Sequence, residues 1–463
     1  MTRVPPALAL LLALGLVGAS APSHGAGRRP YAGRAVAPVA SFDGLTDPHA
    51  AIGRSARFLA TLAHCQLLRP DGRGGTRGEL ARDVSWQGRA LAVTLVDGAR
   101  FQDGRTPVRA SDVAASLARF AQLGDRSPWA GLVEALSVRE VDPLRLVITP
   151  PRGTTEATLR ALLARPELAV LRGGRPGDGA GCGPFRVTAS DAASRRLEAF
   201  EGHPLGRPWL DTIVLKRVAA GEPEQSAFVF GDVDFAFGDG PRSRRLGRSV
   251  DAHSVTYFAL PHPRFRGPEA VGLRQAVAAF ARAERLGRYV EGRASAPSSP
   301  WPPSLAPSPR ELSRPRSFPQ LPALTIAYRA DDHELGDLAR ALRDSLRQLA
   351  TGTARVVPVD GLDAAQARSA RSPEWDLALV RHEWGASTAA EAAAELAFTL
   401  GLTAPAPDQV LGGKARGWAD RVVADAAAIP VLHVERPLLV RPGLAVEPAG
   451  QGLPDLAESW RPR

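Results

Sequence analysis

At 463 residues the chain is too long for one ordinary hydrophobic core, and two or three domains are expected. A hydrophobic share of 44% with 23% charged residues places it among soluble globular proteins. The net charge of +10 raises the question of a nucleic-acid partner, and all but two of the 58 basic residues (Lys216 and Lys414) are arginine. No basic run is interleaved with aromatics as a base-stacking surface requires, and the densest cluster, residues 242–248, reads as a solvated loop or helix face.

The N-terminus carries an address. Arg3 precedes an apolar run over residues 7–17, too short to span a bilayer but suited to the core of a signal peptide. Ala19-Ser20-Ala21 supplies small residues for cleavage, with a second position after Ala26. An exported protein is expected, periplasmic and without a lipid anchor, because no cysteine precedes Cys65. In an oxidising compartment Cys65 and Cys182 read as a disulfide rather than a metal pair, the alternative being two buried thiols; neither lies in a C-x-x-C or near spaced histidines.

In chain order, residues 28–37 form a loose basic entry segment and residues 56–68 a helix running into a short strand. Residues 90–96 are apolar and partly β-branched, as a buried strand should be, and Asp97-Gly98 ends them. After the turn at residues 101–107, Ser111 is placed to cap a helix in which Val113, Leu117 and Phe120 recur at near-helical spacing. Residues 144–148 read as a strand and 155–164 as a helix. The glycine-dense residues 173–183 lead into a strand, not the helix a phosphate cradle needs, and read as a flexible link. Residues 323–328, 332–350 and 355–359 make a βαβ unit, whose right-handed crossover puts its strands in parallel, and residues 376–380 are the next strand. The Pro/Ser-rich residues 295–322 cannot hold regular structure for long.

Several of these stretches share a pattern. Trp86, Asp97-Gly98-Ala99-Arg100-Phe101-Gln102-Asp103-Gly104, Thr106-Pro107 and Ala110-Ser111-Asp112-Val113 resemble the signature of the family 5 extracellular solute-binding proteins, the peptide- and nickel-binding receptors of ABC importers. Further matches follow in the right order: Leu45-Thr46-Asp47-Pro48, Gly181-Cys182-Gly183-Pro184-Phe185, residues 201–213, Gly231-Asp232-Val233-Asp234, Leu273-Arg274-Gln275-Ala276-Val277 and Ile429-Pro430-Val431-Leu432-His433.

The resemblance implies an α/β chain with the type II periplasmic-binding-protein fold, two lobes joined by a hinge and an extra subdomain in the first. The implied division is a signal peptide over 1–26, a first lobe from 27–50, 182–258 and 429–463, its subdomain over 51–181, and a shortened second lobe over 259–428. It also implies a monomer that captures a peptide or similar small solute by hinge closure and passes it to an ABC permease in the inner membrane. A sensory or non-transport role is the alternative, favoured by the shortened second lobe and by Arg381-His382-Glu383-Trp384-Gly385, which stands where relatives carry an acidic continuation. Tyr257, His382, Glu383 and Trp384 are the expected ligand-binding residues, with Glu383 receiving a cationic group.

No catalytic centre, metal site, cofactor or nucleic-acid partner is expected. There is no G-x-S-x-G or H-E-x-x-H, the nine histidines are scattered singly, and Asp232 and Asp234 are read as alternation across a strand rather than an acid–base pair. Export carries the first prediction. N-terminal sequencing of secreted protein should find a start near Pro22 or Gly27 and no lipid, whereas an intact Met1 would contradict it.

Overall fold

The computed structural model describes residues 31–461 apart from 73, 178, 180, 219–223, 239–244, 266, 298–299, 303–304, 306–319, 321–322, 370–373, 387, 415 and 451–452. The expected signal peptide, most of the Pro/Ser-rich stretch and part of the 242–248 cluster lie outside the described residues.

A four-stranded sheet orders its strands Arg34–Val39, Thr212–Arg217, Ser194–Ala199 and Phe185–Ser190, the first pair parallel and the others antiparallel. Ala35 sits opposite Ile213 and Ala37 opposite Leu215, so these side chains share one face, and all four are buried. That face packs on Phe58, Leu59 and Leu62 of the helix Arg54–Ala63 and on Val446, Leu453 and Leu456 of the C-terminal hairpin.

A second, antiparallel sheet runs Ala81–Gln87, Ala90–Leu95, Arg145–Thr149, Ser137–Asp142. Alternation in the expected strand buries Leu91, Val93 and Leu95 against Val113, Leu117 and Phe120 of the helix Ala110–Ala121. The helix begins one residue before Ser111, which therefore lies inside it. Asp112 closes the first turn instead, its carboxylate accepting from the Arg109 amide at 2.9 Å and from the Gly173 amide at 2.8 Å.

The turn around Gln102 has a specific structural task. Its buried carboxamide nitrogen lies 3.0, 3.2 and 2.8 Å from the carbonyls of Ala63, Gly183 and Phe185, tying the end of the first helix to the start of strand Phe185–Ser190. The glycine-dense segment is correspondingly more than a link. A Cβ on Gly183 would come within 2.4 Å of the Ala63 carbonyl carbon, so only glycine permits the close approach. Cys65 and Cys182 lie side by side at this junction, both fully buried, with Cα atoms 5.1 Å apart, a separation suited to a bridge.

The largest sheet has the order Phe235–Phe237, Ile429–Val440, Arg248–Pro261, Leu377–Glu383, Leu324–Arg329, Ala354–Val359, with Arg293–Ser295 added beside Ile429–Val440. The expected βαβ unit is present: Leu324–Arg329 is parallel to both Ala354–Val359 and Leu377–Glu383. Leu335, Leu338, Leu342 and Leu346 of the connecting helix His333–Leu346 are buried on the sheet. Asp332 caps that helix, its carboxylate accepting from the Leu335 amide at 2.9 Å. Asp232 and Asp234 pair with Lys216 and Arg461 respectively.

We propose that Cys65 and Cys182 are bridged. A link across a sequence separation of 117 residues should stabilise the fold by about 2–5 kcal/mol. Reduction, or Cys182→Ser, should lower the thermal midpoint accordingly; two thiols that label freely in the native exported protein would rule the bridge out.

Candidate functional site

Three parallel strands of the large sheet end at one edge, and the chain leaving each contributes to a cavity of about 1050 Å³. Arg329 ends the first strand and Asp332 and Leu335 follow it, Leu362, Asp363 and Ala364 follow the second, and Val380 and Arg381 belong to the third. The carboxyl ends of parallel strands are where open α/β sheets receive ligands, because the loops diverge there and helix N-termini converge. The opposite wall comes from the turn and short helix that follow Ala110–Ala121, with Asp125, Ser127, Gly131, Leu132 and Glu134 facing the space. Phe398 and Leu402, at the end of the helix Ala389–Thr399, supply apolar floor.

The expected site residues are brought together beside this cavity, on two faces of one strand pair, and none of the four lines it. Tyr257 lies opposite Arg381, and Glu383 opposite Val255, on one face; His382 lies opposite Thr256 on the other, with Trp384 one step beyond. Tyr257 is fully buried, donates to Glu334 and accepts from Arg436 at 2.8 Å, and burial pushes its phenol far up. Trp384 is 4% exposed, and its indole donates to the Thr256 hydroxyl at 2.8 Å, which in turn lies 2.7 Å from His433 Nδ1. His382 stands edge-on to the Trp384 ring at 4.3 Å. Burial opposes the charge on Glu383, yet Arg54 and Arg381 among the nearby cations hold its carboxyl well below the usual carboxylate range. Arg381 itself reaches Asp332 at 3.2 Å.

Next to Trp384 lies a group of charges that sequence reasoning missed. The Arg165 guanidinium is completely buried, 3.6 Å over the Trp129 ring, and pairs with Glu167 at 3.0 Å and Glu391 at 3.5 Å while donating to the Gly385 carbonyl. Glu395 accepts from the Gly385 amide at 2.9 Å and pairs with Arg57 at 3.7 Å. Arg57 packs so closely on Gly385 that any side chain there would collide with it. These residues come from four separate stretches, and the sole sequence signal was the presence of two glutamates in an otherwise alanine-rich helix. Among the described residues no cluster of His, Cys, Asp or Glu has the makings of a metal site.

Bacterial extracellular solute-binding proteins, family 5, have a family model (its middle region) that matches residues 76–394. The chain belongs to this family. Solved structures of similar fold include the oligopeptide-binding protein AppA from Bacillus subtilis in complex with a nonapeptide (TM-score 0.70, 14% identity, 94% of this chain and 100% of that one covered). NikA from Brucella suis in complex with Fe(III)-EDTA gives 0.70 and 14%, covering 93% and 100%. A dipeptide-binding protein from Pseudoalteromonas sp. SM9913 in complex with Met-Leu gives 0.71 and 14%, also covering 93% and 100%. No curated protein is significantly similar in sequence. This family 5 solute-binding protein has the type II periplasmic-binding-protein fold, and no helix among its described residues is long and apolar enough to cross a membrane.

Two predictions follow from the buried side chains of this solute-binding protein. Trp384→Ala should cost about 3–5 kcal/mol of stability, as loss of a buried tryptophan does, and leave solute affinity per folded molecule unchanged; chemical denaturation beside calorimetry separates the two effects. Burial holds His49 and His64 down to about 4 and His253 and His382 to about 3. Between those values and the ordinary histidine pKa near 6.5 the unfolded chain binds protons that the folded one does not. Stability should therefore fall as pH drops from about 6.5 toward 4, read as a declining thermal midpoint, with a shallower slope in His382→Gln.

Proposed function

We propose that this chain is the exported, periplasmic receptor of an ABC importer, and that it captures a peptide-sized solute in the cavity between residues 124–134 and the loops after the parallel strands. The observation that carries the reading is the position of that cavity. It lies at the carboxyl ends of three parallel strands, is walled on the far side by a different part of the chain, and has the volume of an oligopeptide or drug-sized ligand.

In this reading the first lobe and its subdomain provide one wall and the second lobe the other. Two long strands, Arg248–Pro261 and Ile429–Val440, run side by side between the sheet ends and serve as the hinge. Their ladder is interrupted between Ser249 and Asp251 and again between Tyr257 and Phe258, places where a strand pair bends most easily. A solute that touches both walls favours the closed arrangement by its contacts to the second wall, and by no more than that. Tyr257, His382 and Trp384 then act from behind, fixing the strand that carries Arg381, and Glu383 holds the Arg381 guanidinium rather than meeting solute.

Gly131 offers a clean test. It lines the cavity, lies inside a helix at ordinary φ, and a Cβ there would meet nothing within 4 Å. Gly131→Phe should fill the space and abolish solute binding, while stability stays the same or rises by up to about 1 kcal/mol from helix propensity. Small-angle scattering with a bound solute should show compaction in the parent protein and none in the variant. Undiminished binding by the variant would place the site elsewhere.

A further inference from the structure

Charge around the cavity is not balanced, and the imbalance has a direction. Arg329 is engaged by Asp331 through two contacts of 2.5 and 2.8 Å, and Arg381 by Asp332 at 3.2 Å. The two arginines are thus neutralised by their own wall. Asp363 is held by a helix start, its carboxylate accepting from the Gln366 amide at 2.7 Å. Across the cavity, Asp125 and Glu134 have no hydrogen-bond or ion-pair partner among the described residues. They project from the turn Gly124–Arg126 and from the last residue of the helix Ala130–Glu134, one on each side of Ser127-Pro128. The lining also carries apolar side chains, Leu132, Leu335, Leu362, Val380, Phe398 and Leu402.

Resting on the cavity being the solute site, we infer that the solute is an organic cation with an apolar body, selected by Asp125 and Glu134. A carboxylate that faces a cavity without a cation of its own is complementary to an amine or guanidinium, and the pair strengthens as closure excludes water. The apolar floor takes up the body of the solute, and an anionic solute would meet two uncompensated like charges, which supplies the rejection that specificity needs. The opposite arrangement, with an anion held by Arg329 and Arg381, is disfavoured because the charge of each guanidinium is already met by an aspartate of its own wall.

Native mass spectrometry can test this with a defined pool: equal parts of Lys-, Gln- and Glu-containing di- to pentapeptides with apolar partners, plus matched aromatic amines, amides and carboxylates. Cationic members should be retained at least tenfold over neutral ones, and the preference should fall to threefold or less in Asp125→Asn/Glu134→Gln, whose exposed positions leave the fold intact. Retention of neutral or anionic members at equal levels, or a preference that survives the double substitution, would overturn the cation assignment while leaving the cavity as the site. Retention of no member, or retention that Gly131→Phe does not abolish, would overturn the cavity reading and the cation assignment with it.

Discussion

The parallel pairing of Leu324–Arg329 with both Ala354–Val359 and Leu377–Glu383 is the constraint on which the site depends. Parallel neighbours must all end at the same edge, and each must be followed by a crossover that returns over a face of the sheet. The loops at that edge therefore diverge, and the next helices begin there with their positive ends exposed. Asp332 and Asp363 occupy those helix starts and answer the exposed amides with carboxylates. One topological decision thus fixes one wall of the cavity and commits two of its acids to structural work, whereas Asp125 and Glu134 on the far wall have no partner among the described residues.

Buried charge joins segments that lie far apart in the chain behind the cavity. Arg57 and Arg165 reach Glu391, Glu395 and the backbone of Gly385 from outside the segment that carries them, in surroundings where a lone charge would be very costly. Their mutual pairing and hydrogen bonds offset most of that cost without adding much net stability, and they fix the local geometry around Gly385 and Trp129. Gly385, where a side chain would have to displace the end of Arg57, is the point at which this network meets the chain leaving the strand that carries Arg381.

Much of this architecture was legible in the sequence because it rests on local pattern. Alternation at Leu91, Val93 and Leu95, leucines at helical spacing from Leu335 to Leu346, and the motif from Trp86 to Val113 each report a single element or turn, and together they pointed to the family. The cap at Ser111 was misplaced because a serine and an aspartate at successive positions both suit a helix start, and only the backbone decides between them. The glycine-dense segment read as a link because close packing of one backbone on another leaves no mark except glycine itself. The strand end at His382 to Trp384 reads as a cleft wall from its place at the end of a strand; alternation sends these side chains to the two faces of the strand pair, and the burial of His382 and Trp384 could not be seen from type and spacing. Asp125 and Glu134 gave no signal, since an unpaired surface acid is indistinguishable in sequence from a paired one.

The central claim is that solute sits between residues 124–134 and the loops that follow the parallel strands. Hydrogen–deuterium exchange on protein purified with its own periplasmic cargo, compared with the same protein stripped of cargo, tests it most directly. The account predicts added protection at residues 124–134, 362–364 and 398–407 when cargo is present. Protection confined to the strands around Tyr257 and Trp384, with those three segments unchanged, would contradict it.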